Sequence, residues 1–394
     1  MLPPDYLAHC TDNAVKLYEK LNQNLTNDIC RRIITTGIVT DSVDWQIKRL
    51  QASGGLYTDL VENVAKSTGA TSAEIKRMFE KAGVEAYNYD VEPFRKAGLN
   101  VRNGLSPAME NVLRANMIRT NSTMNNLSMT TASNGQQLFV DTMDEAIMMV
   151  TSGGFSPDEA LRYAVDKAGK EGAYVTYDSG AKLRLESAAR MNLMTGVNQT
   201  AAQISMMNCK ELETGYVETT AHAGARPTHE EWQGMVFKLE GSDDQYDNFY
   251  EVTEYGEVTG LCGANCKHSF HPFIPDISVP AYTQEMLDSY KDPEYKYRGK
   301  DLTQYEASQK LRRAEQGIRE SKRRIASVKA AIEKAEGRQL LEELNRQLLH
   351  NREVYRQRSA RWKELTEATG VKKDYLRTRI PGQSRTKVAQ LPKV

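Results

Sequence analysis

The sequence predicts a predominantly helical α+β protein, and three observations carry that prediction. Apolar residues recur at helical spacing through most of the first 214 residues. From about residue 215 to 280 the chain changes to short β-branched and aromatic segments broken by Gly and Asp. Beyond Pro280 a seven-residue apolar repeat takes over. These changes divide the chain into an N-terminal helical region (1–110), a helical domain (111–214), a small central α+β module (215–280), a long charged helical hairpin or coiled coil (281–370) and a basic flexible tail (371–394).

Asp12 is placed to cap a helix in which Val15, Leu17, Leu21, Leu25 and Ile29 share a face. Asp41 can cap VDWQIKRLQASG, and Thr71 with Glu74 forms a capping-box pattern for a helix ended by Gly83. The irregular stretch Asn88 to Leu105 reads as a linker or short turns. Ser106-Pro107 starts one helical segment, PAMENVLRANMIRTNSTMNNL, a second, GQQLFVDTMDEAIMMVTSGG, ends at Gly153-Gly154, and Ser156-Pro157 puts Pro at a first helical position for the next. Tyr177 to Gly180 reads as a turn feeding a helix that carries Leu183, Leu185, Ala189 and Leu193 on one face, with Arg190 set to pair with a carboxylate or cap carbonyls rather than bind phosphate. In the module, YVETTAH, GMVFKLEG and FYEVTEYGEVTG read as strands. Further on, Leu311, Ile318, Ile325 and Ile332 form one heptad series, and Leu341, Leu348, Tyr355 and Trp362 form another. The two are out of phase at Gly337, so two helices turn into a hairpin there or continue as a coiled coil with a register skip.

Composition excludes several classes. The chain has 394 residues, 40% apolar and 26% charged, as expected of a globular protein. It has no apolar run near the ~20 residues that span a bilayer, and MLPPDYLAHC lacks a signal-peptide core. Five cysteines argue against a disulfide scaffold and for a reducing cytoplasm. The zero net charge hides a split, because residues 301–394 hold 23 Lys+Arg against 12 Asp+Glu. Arg312, Arg313, Lys322, Arg323 and Arg324 are the core of this basic patch. It suits DNA or the acidic body of a neighbouring copy, or is simply a solvated helix face.

Candidate chemistry concentrates between residues 215 and 275. Four of the six histidines lie there (His222, His229, His268, His271), with Cys262, Cys266, Arg226, Trp232, Gln233 and Gly234. Cys262, Cys266 and His268 fall within seven residues, and two sulfurs with an imidazole suit zinc. His229, His222 or His271 is available as a fourth ligand. Three readings stay open: a structural zinc, a metal-free hydrogen-bonded cluster, and a hydrolase with Cys266 as nucleophile or a metal as Lewis acid. No Gly-rich phosphate loop, HExxH or GxSxG pattern accompanies them, so a non-enzymatic role is favoured.

The stretches YDSGAKLRLESAARMNLMTGVNQT, TAHAGARPTHEEWQGMVF and GLCGANCKHSFHPF resemble the phage minor capsid protein 2 family, which is similar to the Mu F-like minor head proteins. His222, Arg226, His229, Trp232, Gln233 and Gly234 carry the structural motif. Cys266-Lys267-His268 stands where the Mu F-like module has Cys-x-Cys. The resemblance implies a minor structural protein of a tailed-phage head, made in the bacterial host cytoplasm and present in several copies. Its partners would be the portal protein, other head proteins and phage DNA, with roles in assembly, packaging or ejection.

Overall fold

Local signals start the helices, but packing decides how far they run. The computed structural model describes residues 1–177, 179–371 and 375–380. It is 67% helical with a few small antiparallel sheets. After the short α1 (Pro4–His9), α2 spans Asp12–Thr36. Asp41 caps α3 as the sequence predicts, its Oδ1 accepting from the Val43 and Asp44 amides. Helix α3 then runs unbroken over Ser42–Lys96.

That length overturns the three predicted pieces. Gly83 ends nothing: a Cβ there would lie 2.1 Å from Leu113 Cδ1, so the residue is small to let another helix approach. The Thr71 hydroxyl donates to the Thr68 carbonyl instead of capping. The predicted linker after Asn88 is helical to Lys96. Helix α4 (Pro107–Thr151) likewise merges two predicted segments, while α5 (Pro157–Glu171) starts at the Ser156/Glu159 capping box with Pro157 in first position.

Strands β1 (Tyr174–Thr176) and β2 (Lys182–Arg184) form an unpredicted antiparallel hairpin before α6 (Leu185–Glu211). In the module, β3 (Tyr216–Thr219) is the centre of an antiparallel sheet between β4 (Val236–Lys238) and β5 (Phe270–Phe273). FYEVT is not a strand: it is helix α7 (Phe249–Thr253), because Asn248 Oδ1 accepts from the Tyr250 and Glu251 amides. Helix α8 (Gln284–Ser289) and the hairpin of β6 (Tyr295–Tyr297) and β7 (Lys300–Leu302) lead to α9 (Gln304–Ile332) and α10 (Arg338–Ala368). Gly337 marks the turn with φ +90°. Arg358 of α10 donates to the Gly317 carbonyl and Ser321 hydroxyl of α9. Of the two heptad series, Leu311, Ile318, Ile325, Leu348 and Trp362 are buried, and Ile332, Leu341 and Tyr355 are half-buried. Residues 372–374 and 381–394 of the predicted basic tail lie outside the described residues.

The chain folds as two units, each assembled from three separate stretches. One comprises Met1–Val15, Thr68–Asn126 and Ser187–Lys310. It holds the module, whose core (Val217, Trp232, Phe237, Phe249, Leu261, Phe270) is completed by Ala202 and Cys209 of α6. Within the same unit, Arg190 pairs with Asp12 at 2.9 Å, the carboxylate partner its position predicts. The other unit comprises Lys16–Ser67, Leu127–Glu186 and Leu311–Val394. Its interior carries a buried ion pair, with Arg323 Nη1 2.9 Å from Glu186 Oε1 and Asn22 donating to Glu186 Oε2 at 2.7 Å.

A buried histidine–cysteine cluster

The loop that follows α7 is folded too tightly for side chains at two of its glycines. A Cβ on Gly260 would sit 2.0 Å from the Glu254 carbonyl oxygen, and one on Gly263 would sit 2.4 Å from that of Val258. Cys262 and Asn265 turn the chain through left-handed conformations with φ +59° and +58°. The loop delivers Cys266 and His268 to the start of β5. A short 3-10 turn over Pro227–His229 delivers His229, while the Arg226 guanidinium donates to the Ala264 carbonyl at 2.8 Å.

These elements bring three side chains together. Cys266 Sγ lies 3.7 Å from His229 Nδ1 and 3.6 Å from His268 Nδ1, and the two Nδ1 atoms are 3.3 Å apart. All three residues are no more than 2% exposed. Both outer ring nitrogens are engaged, His229 Nε2 with the Thr259 carbonyl at 2.8 Å and His268 Nε2 with Gln233 Oε1 at 3.1 Å. Gln233 Oε1 also accepts the His222 backbone N–H. The Trp232 ring packs against both histidines, and His222 stacks on His268 with ring centres 4.5 Å apart.

The other predicted residues stand outside this group. The Cys262 thiol is turned toward the His268 carbonyl at 3.6 Å. His271 Nε2 lies 3.7 Å from Glu218 Oε2 on the neighbouring strand. Gly234, at φ +69°, packs under Tyr282 and Leu287. One contributor carries no motif signal: Asn198, buried on α6, donates through Nδ2 to the Cys266 and His268 carbonyls at 3.2 and 2.8 Å. A lone Asn in a helix is unremarkable in sequence; only the packing of α6 against the module gives it this job.

Burial sets the protonation. It pushes the His229 pKa down and that of His268 well below the ordinary histidine value, so both rings are neutral. Burial likewise raises the Cys266 thiol, with the His268 and Cys262 backbone and Arg226 pulling the other way. Glu218 is the outlying titratable group: burial lifts its carboxyl from 4.5 to about 7, against backbone hydrogen bonds from Ala281 and Tyr282. A raised acid favours the folded state below its unfolded pKa and loses that contribution as the pH rises through the folded pKa. Wild-type stability is therefore expected to fall between about pH 4.5 and 7, by up to ~3 kcal/mol. Glu218→Gln keeps the acceptor for the Ala281 N–H and removes the titration. Urea denaturation at several pH values checks this; equal slopes in both proteins would contradict it.

The basic patch does not assemble as one surface. Arg323 is buried against Glu186, Arg324 bonds Asp166 at 2.7 Å, and the Lys322 ammonium donates to the Thr378 carbonyl at 2.6 Å. Arg312 and Arg313 are exposed. Carboxylates and carbonyls inside the fold satisfy Lys322, Arg323 and Arg324, a pairing invisible in a charge count.

A helical α+β protein organised on a sealed histidine–cysteine cluster is thus the class that fold and site define. Residues 2–353 match the phage minor capsid protein 2 family, and the chain belongs to that family. It is accordingly a structural protein of the phage head, located in the virion, with other head proteins as its partners. Comparison with curated proteins and with solved structures gives no match. Among the described residues, no helix is long and apolar enough to cross a membrane.

Proposed function

We propose that this head protein is portal-associated, incorporated in several copies from the host cytoplasm during assembly, and non-enzymatic. The observation that carries the reading is the family match over residues 2–353, spanning both units and not the module alone. Burial of the cluster supports a structural role over hydrolysis: with Cys266, His229 and His268 each no more than 2% exposed, a substrate has no approach to the sulfur. The raised thiol is also a poor nucleophile. DNA contact through α9 is less well supported, since Lys322, Arg323 and Arg324 already have partners within the chain.

The test is affinity purification of the tagged chain from host cells making the whole head, alongside protein analysis of intact virions. Portal protein in the first sample and this chain in the second are expected. Absence of both sinks the portal-associated reading.

A further inference from the structure

We infer that His229, Cys266 and His268 form a site for one zinc-class divalent cation, held through both Nδ1 atoms and the Cys266 sulfur. The hydrogen bonds around the rings fix where their protons are. The Thr259 carbonyl can only accept, so His229 carries its proton on Nε2. Gln233 presents Oε1, identified as the amide oxygen because it also accepts the His222 backbone N–H, so His268 is protonated on Nε2 as well.

Both Nδ1 atoms are then bare lone pairs facing each other at 3.3 Å in a buried space. The single proton of the Cys266 thiol satisfies one of them and leaves the other without a donor, at a cost of about 1–3 kcal/mol. A cation satisfies all three ligand atoms at once.

The spacing agrees with that reading. Zinc bonds of about 2.0–2.1 Å to nitrogen and 2.3 Å to sulfur give a tetrahedron with edges of about 3.3–3.4 Å (N to N) and 3.5–3.6 Å (S to N). The observed separations are 3.3, 3.6 and 3.7 Å. Each imidazole has the outer acceptor that orients a metal-bound histidine, and Asn198 clamps the backbone of both loop ligands.

None of the three remaining candidates completes the set, His271 being set beside Glu218. Cys262 is directed at the His268 carbonyl, and His222 lies over the face of the His268 ring, out of the plane of its Nδ1 lone pair. The fourth position falls to a water or another small ligand. Binding replaces the S–H bond with a metal–sulfur bond and releases one proton to solvent.

The test uses the full chain, dialysed against chelator and titrated with Zn²⁺ alone and Co²⁺ alone. One equivalent of either is expected to bind and to raise the melting temperature. The cobalt form is expected to show visible bands of four-coordinate intensity and a sulfur-to-cobalt charge-transfer band. Cys266→Ser should abolish the charge-transfer band, Cys262→Ser should retain it, and Gln233→Ala should retain it while weakening affinity about 10–100-fold. No stoichiometric binding by the wild type overturns the site, as does a band that survives Cys266→Ser and disappears in Cys262→Ser. Should Cys266→Ser not fold, the wild-type cobalt spectrum decides, and the absence of a sulfur band overturns the assignment.

Discussion

Arg323→Ala is expected to cost about 3–5 kcal/mol of folding free energy at neutral pH. Arg323 and Glu186 are each 5% exposed, and the substitution strands a carboxylate left with Asn22, a backbone N–H and the charges of Arg184 and Arg319 to offset it. Burial pushes the Glu186 pKa up, but Arg323 leads the groups that pull it below the ordinary 4.5. A depressed acid stabilises the fold above its unfolded pKa and loses that contribution as the pH falls. The gap between wild type and variant should therefore shrink below about pH 4.5. Replacing both partners with apolar residues of similar volume, Arg323→Met with Glu186→Leu, should recover most of the loss, because neither charge of the pair is then left buried without the other. Equilibrium urea denaturation measures all three proteins; a loss under about 1 kcal/mol for Arg323→Ala would show that water reaches the pair.

Gly260→Ala is expected to be comparably damaging, near 4 kcal/mol. The methyl would lie 2.0 Å from the Glu254 carbonyl oxygen, a backbone atom that cannot swing aside. Relief requires opening the loop whose next-door carbonyl, that of Thr259, orients His229, so the cluster should loosen along with the fold. Gly215→Ala is the control: nothing lies within 4 Å of its added Cβ, and its effect should stay within about 0.5 kcal/mol. Thermal melting of the two variants separates these outcomes. Equal melting temperatures would mean the loop yields more easily than its packing implies.

The two substitutions mark where sequence reading succeeds and where it stops. Crowding of His and Cys between residues 215 and 275 pointed to the cluster; three of the four predicted metal ligands meet there, and two of these, Cys266 and His268, are near neighbours in sequence. His229 joins them from 37 residues away because the 3-10 turn after Arg226 packs beneath the same loop. Cys262 has the right spacing and the wrong direction: a left-handed backbone at φ +59° turns it to the His268 carbonyl. Neither Asn198 nor Thr259 carries a pattern, since one supplies an amide from a distant helix and the other only a backbone oxygen.

By itself the sequence determined the helical character of the chain, the cap at Asp41, the first-position Pro157, the heptad faces of α9 and α10, and the place where the cluster lies. Those features depend on neighbours three to seven residues apart, and periodicity encodes them directly. Tertiary packing alone decided that α3 runs through its own stop signals and that Lys322, Arg323 and Arg324 turn inward. It also decided which of the histidines and cysteines meet. Each of these outcomes is a competition between a local preference of about 1 kcal/mol and the burial or pairing of groups far apart in the chain, worth several times more.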